Sequence, residues 1–169
     1  MSTRRAPTSW PNSGARRKKS GRGSRRPNGR RSGNKPRKEE KLVGALTGAR
    51  PVVIICTRDR ATSEPFYRDV LGLRRTGSDD FAAVFDVGGA PLRLSTVADW
   101  KPHEHTIFGF AVDDIKAAVG ALKKQGVSFT IYPGFGQDAD GIWTTPDKSA
   151  RVAWFSDPDG NNLSLTQFG

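Results

Sequence analysis

Few side chains in this sequence have chemistry to offer: His103 and His105, the single cysteine Cys56, and closely spaced acids at Asp79-Asp80 and Asp157-Pro158-Asp159. Paired carboxylates can act as general acid and base, but Asp157 and Asp159 flank a proline ahead of Gly160, which is the composition of a turn. Asp79 and Asp80 read as solvated residues at a hairpin entry. The two histidines follow Pro102 in a connecting segment and read as an exposed pair near a strand start. Cys56 shares a strand face with Val52 and Ile54. It has no adjacent His or Lys to lower its thiol pKa, so it reads as a small buried hydrophobe and not as a nucleophile. A lone cysteine also excludes an intramolecular disulfide or a cysteine zinc cage and suits a reducing, cytoplasmic location.

The elements that must position these groups begin near residue 51. Residues 1–50 carry 16 Lys and Arg against 2 acidic residues, whereas residues 51–169 carry 12 against 15. The first stretch has almost no aliphatic residue before Leu42 and cannot bury enough apolar surface to offset the entropy of ordering, so it is expected to be a disordered basic tail. Its charge density implies weak, salt-sensitive polyanion binding. Trp10 sits at its edge and no aromatic residue is interleaved with the charges, so base stacking is not written there. No apolar stretch follows Arg4-Arg5 as a signal peptide requires. The run from Leu42 to Cys56 is broken by Arg50-Pro51 and is too short to span a bilayer, so no membrane partner is expected.

From Pro51 the pattern becomes that of a folded domain over residues 51–169. "VVIIC" is a β-branched run of strand length, and in "PFYRDVLGL" Phe66, Val70 and Leu71 fall at helical spacing. Pro65 requires this helix either to start late, with Ser63 as its cap, or to kink. "FAAVFDV" and "LRLSTV" flank Gly88-Gly89 as a hairpin. The plan then repeats. "TIFGFAV" is a strand, Asp113 or Asp114 caps the helix "IKAAVGALKKQG", and "SFTIY", "RVAWFS" and "NLSLTQF" are strands. Gly72 and Gly126 end the two helices at an offset of 54, while "LRLS" and "LSLT" are offset by 71. The intervening 17 residues form an extended loop or β-arm between "SFTIY" and "RVAWFS". The expected fold is α+β: two tandem βαβββ modules around a curved cleft, behind the disordered basic tail.

On the segments "FYRDVLGL", "FAVDDIKAAVGALKKQGV" and "AWFSDPDGNNLSLTQ", the chain resembles the vicinal oxygen chelate superfamily, which includes glyoxalases, bleomycin-resistance proteins and extradiol dioxygenases. That resemblance implies a metal held by a His or Gln in the first strand of each module and a Glu in the last strand of each. The equivalent positions here are Val52, Arg93, Ile107 and Ser164. Two have no donor, Ser164 is a poor ligand when neutral, and Arg93 places a fixed cation where the metal would sit. His105 lies two residues before Ile107 on the same face, but one ligand does not make a site. The resemblance therefore implies a metal-free domain with no cofactor.

The remaining cleft candidates are Arg93, Trp154, Trp143, Tyr132, Phe135 and Ser164. Aromatic walls with one cation suit a small aromatic or anionic molecule, sequestered as resistance members of the superfamily do. A diverged lyase or isomerase is the enzymatic alternative, and a polyanion-associated protein acting through the tail is a third. A monomer or homodimer fits either cleft reading.

Overall fold

The computed structural model describes residues 44–169. The expectations for residues 1–43 of the tail lie outside the described residues. Two four-stranded sheets follow one another with the same internal order. The first contains β1 (Val53–Thr57), β2 (Arg74–Ser78), β3 (Ala82–Val87) and β4 (Ala90–Thr96); the second contains β5 (Phe108–Ala111), β6 (Ile142–Thr144), β7 (Ala150–Ser156) and β8 (Asn162–Phe168). In sheet 1 the order is β1-β4-β3-β2, and in sheet 2 it is β5-β8-β7-β6. In each module the first strand runs parallel to the last, and the remaining pairings are antiparallel. The repeat expected from the sequence is therefore the architecture. Ile54 pairs with Arg93 in sheet 1 as Gly109 pairs with Ser164 in sheet 2, so Arg93 and Ser164 occupy matching places.

Alternation sets the faces. Leu92 and Leu94 are buried on one side of β4, and Leu163 and Leu165 on one side of β8, which sends Arg93 and Ser164 to the other. The apolar sides of both sheets join one core that contains Tyr67, Phe85, Ile115, Val119 and Phe155. The helices α1 (Arg60–Pro65) and α2 (Ile115–Lys124) cover these sides. Helix α2 follows its sequence signals: Asp114 accepts from the Ala117 N–H at 3.1 Å, and Lys123 and Lys124 occupy the last turn.

Of the two readings of the first helix, the late start capped by Ser63 is the one not found. Asp59, not Ser63, is its cap, accepting from the Ala61 N–H at 2.9 Å. Pro65 ends α1 without ending the helical path, because the chain widens into one π-helical turn, Phe66–Val70, where the Leu71 N–H donates to the Phe66 carbonyl at 2.9 Å. A proline lacks the N–H that a regular turn needs there, and a π turn is a known way to absorb such a break. Ser63 instead turns inward and is buried.

Two strands differ from the sequence reading. "SFTIY" supplies only an isolated bridge, Phe129 to Phe155. The edge position beside β7 belongs to β6, which comes from within the inserted segment. The polar β2 completes sheet 1 through pairing with β3, with an irregularity between Arg75 and Gly77.

The turn between β7 and β8 does more than reverse the chain. Its Asp157 carboxylate accepts from the backbone N–H groups of Asp159 (3.0 Å) and Asn161 (2.8 Å), the Asn161 amide (2.8 Å) and the Tyr67 hydroxyl (2.7 Å). Asn161 reaches the Cys56 carbonyl of β1 at 2.9 Å and accepts from the Trp100 indole at 2.8 Å. Asp159 accepts from the Arg58 backbone (3.0 Å), the Arg58 guanidinium (3.1 Å) and the Ser63 hydroxyl (2.6 Å). Module two is thus tied to the helix and first strand of module one by a network whose three central side chains, Asp157, Asp159 and Asn161, are all buried. Burial and the carboxylate beside it raise the Tyr67 pKa.

Burial alone would raise the Asp159 pKa, but the hydrogen bonds from Ser63 and Arg58 outweigh it and hold the carboxyl below its usual value. A depressed folded-state pKa contributes stability that is complete above the unfolded value of about 3.9 and is lost as pH falls through the lower folded value. Ser63→Ala weakens that depression. The Tm gap between the native chain and Ser63→Ala is therefore expected to stay constant above about pH 5 and to narrow as pH falls below about 4; a gap that widens on acidification would contradict the assignment.

Candidate functional site

The helix-free face of sheet 2 gathers five of the six side chains singled out from the sequence. Trp154 on β7 stands opposite Ser164 on β8, and Trp143 on β6 pairs with Val152, two residues from Trp154 on the same face. Tyr132 and Phe135 reach this face from the segment between α2 and β6. The Trp154 ring meets Tyr132 at 5.6 Å and 83°, Phe135 at 6.1 Å and 79°, and Trp143 at 6.3 Å and 41°. These are edge and tilted contacts of the kind aromatic quadrupoles favour. Phe135 remains 51% exposed, so the wall is open to solvent on one side.

Gln137, which no sequence pattern marked, shapes this segment. Its carbonyl accepts from the Tyr132 N–H at 2.6 Å, and its amide donates to the carbonyls of Thr130 (2.9 Å) and Gly141 (2.7 Å). Gly134 and Gly136 on either side of Phe135 have φ of +87° and +68°, conformations that let the loop fold back over the sheet. The Thr130 N–H donates to the Trp154 carbonyl at 2.7 Å, fixing the loop to β7. Asn162 is the second unforeseen residue. Its amide nitrogen donates to the Glu104 carbonyl (2.7 Å) and the Tyr132 hydroxyl (2.9 Å). An open depression of about 430 Å³ lies here, lined by His105, Tyr132, Phe135, Trp154 and Asn162 together with Glu104 and Thr106.

The sixth residue, Arg93, lies in the other sheet. Its guanidinium donates to Asp79 at 2.7 Å. Asp79 also accepts from the N–H groups of Phe81 and Ala82, both at 2.9 Å. The Arg93 hydrogen bond first, and then the Phe81 N–H, hold the Asp79 carboxyl below its ordinary value. Asp79 is exposed, as expected of a hairpin-entry residue, and is also the partner that holds Arg93. On the same face of sheet 1, Val52 and Ile54 are 56% and 64% exposed, and among the described residues no aromatic cluster like that on sheet 2 stands over them.

His103 and His105 stack on one another at 5.1 Å, with Trp100 against His103 at 5.8 Å, in the exposed connection before β5. Among the described residues, no three His, Cys, Asp or Glu side chains are grouped as a metal site would need. Cys56 is half-buried, and that burial raises its thiol pKa, which disfavours the thiolate.

Two matched βαβββ modules, with an aromatic wall on the helix-free face of the second sheet, define a class of protein, and comparison identifies it. A family model described as the Glyoxalase/Bleomycin resistance protein/Dioxygenase superfamily matches residues 50–165, and the chain belongs to that superfamily. Among solved structures, it is similar to a glyoxalase family protein from Bacillus anthracis, with 16% identity, a TM-score of 0.57, and coverage of 71% of this chain and 94% of that one. It is also similar to the fosfomycin resistance protein FosX from Listeria monocytogenes (12%, TM-score 0.57, 70% and 92%). A superfamily member from Sphaerobacter thermophilus DSM 20745 matches as well (22%, TM-score 0.54, 69% and 96%). No curated protein sequence matches the chain. These likenesses establish the fold.

The metal that the superfamily implies does not fit the residues present. Arg93 and Ser164 sit at matching registers in the last strands, Val52 and Ile107 precede the first strands, and none of the four supplies an anionic or imidazole ligand. Arg93 moreover carries its own counter-ion. Among the described residues no helix is long and apolar enough to cross a membrane.

Proposed function

We propose that this chain is a metal-independent, cytoplasmic small-molecule binding module that holds a flat aromatic compound against the wall of Tyr132, Phe135, Trp143 and Trp154. The wall is the observation that carries the reading: four aromatic side chains converge on one open, helix-free sheet face beside a depression of about 430 Å³. Aromatic side chains lining a concave surface are the usual floor of a small-ligand site. A carrier role needs no general acid, base or nucleophile.

The test is a thermal-shift screen of aromatic metabolites and antibiotics on the full chain, followed by calorimetric titration of the hits. A ligand of the native state raises Tm by mass action. Treatment with a chelator is expected to leave both Tm and ligand affinity unchanged, because no bound ion contributes to either. One equivalent of Zn, Ni, Fe or Mn in the purified protein, with ligand affinity lost on its removal, would overturn the metal-independent reading.

A further inference from the structure

We propose that the aromatic site selects an uncharged ligand presenting a carbonyl or similar hydrogen-bond acceptor, and that the Tyr132 and Ser164 hydroxyls are the donors that recognise it. This rests on the binding reading above and names the ligand class. The first ground is charge. The cross-strand rows Gly109-Ser164-Trp154 and Val152-Trp143 contain no ionisable side chain. The strand-borne cation Arg93 belongs to the other sheet and is spent on Asp79. Glu104 and His105 both line the depression, so an acid and a base stand together there with no Lys or Arg among the described lining residues. A carboxylate or phosphate seated against Trp154 would lose hydration with no Lys or Arg lining the depression, among the described residues, to replace it.

The second ground is the state of the donors. The Glu104 carbonyl can only accept, so the Asn162 atom beside it must be the amide nitrogen, which fixes the orientation of the side chain. That same nitrogen faces the Tyr132 oxygen, which therefore acts as acceptor and keeps its own proton for another partner. Among the described residues no acceptor takes that proton. Ser164 is 6% exposed, and its hydroxyl likewise has no partner among the described residues. Gly109 makes room for it, since a Cβ at that position would lie 2.6 Å from the Ser164 oxygen. The acceptor of Asn162 lacks a donor but is closed off, so the site meets a ligand with donors. A flat molecule with a carbonyl edge satisfies them, and a donor-only molecule does not.

Calorimetric titration of the full chain with three bicyclic probes tests this: coumarin, neutral with a carbonyl; indole, neutral with only an N–H to offer; and 2-naphthoate, an anion. Coumarin is expected to bind about fivefold or more tighter than either of the others, the scale of one or two neutral hydrogen bonds. Tyr132→Phe and Ser164→Ala are each expected to weaken coumarin severalfold while leaving indole unchanged. Should one variant fail to fold, the other carries the test. Binding of 2-naphthoate or indole as tight as that of coumarin, or coumarin affinity indifferent to both variants, overturns the selectivity and leaves the aromatic site standing. Failure of all three probes to bind overturns both.

Discussion

Asp157→Ala is expected to lower the free energy of unfolding by about 3 kcal/mol or more, the cost of leaving several enclosed donors without their acceptor. The carboxylate takes four hydrogen bonds, and one comes from Tyr67, whose side chain is fully buried in the other module. Alanine leaves the Tyr67 hydroxyl and two backbone N–H groups without an acceptor where water does not reach. Tyr67→Phe removes only one of the four bonds, and its expected cost is smaller, about 1–2 kcal/mol. The two changes should be strongly non-additive, because the second removes a group that the first has already orphaned. Urea unfolding of the two single variants and the double variant reads all three quantities. An Asp157→Ala cost under about 1 kcal/mol would show that the turn does not hold the modules together.

That network shows where the sequence stopped being legible. Asp157-Pro158-Asp159-Gly160 announces a turn, and a turn is found. Its partners Tyr67, Ser63 and Arg58 lie some 90 to 101 residues away, and no local pattern selects them. Helix α2 was readable because cap, apolar stripe, terminal lysines and stop glycine all fall within a dozen residues. Strand β2 was not, since "RRTGS" has no apolar alternation and becomes a strand only by pairing along β3. "SFTIY" carries the stronger strand composition, yet Gln137 draws the backbone away after Thr130, and "IWT" takes the edge instead.

The site followed the same division. Residue types disclosed the aromatic wall, because four aromatic side chains on and around two strands of known face have few other places to go. The hydrogen bonds that aim it were hidden, since Gln137 and Asn162 are ordinary loop and strand residues until the fold closes around them. Arg93 was visible as a cation at a telling register, but its partner Asp79 sits 14 residues earlier in a turn, and only the assembled sheet brings the two to 2.7 Å. That pairing gives Arg93 a counter-ion of its own and moves the argument for ligand binding away from sheet 1 and onto sheet 2.

Trp154 is the side chain on which that argument depends. It touches Tyr132, Phe135 and Trp143, and it stands across from Ser164, so every element of the wall is in contact with it or paired to its strand. Trp154→Ala is expected to weaken binding of a flat aromatic ligand by about 30-fold or more, the scale at which removal of a central aromatic anchor is felt. It should also cost about 1–3 kcal/mol of stability, less than a fully enclosed tryptophan would, because this ring is only partly buried. Phe135→Ala is the comparison. That ring is half exposed at the edge of the wall, and its loss should cost only about threefold in affinity. Trp154→Phe keeps a stacking surface and should recover much of the binding, which separates a contact with the ligand from a general loosening of the sheet. Equal effects of the two alanine variants, or full affinity in Trp154→Ala, would mean that the ligand does not sit on this face.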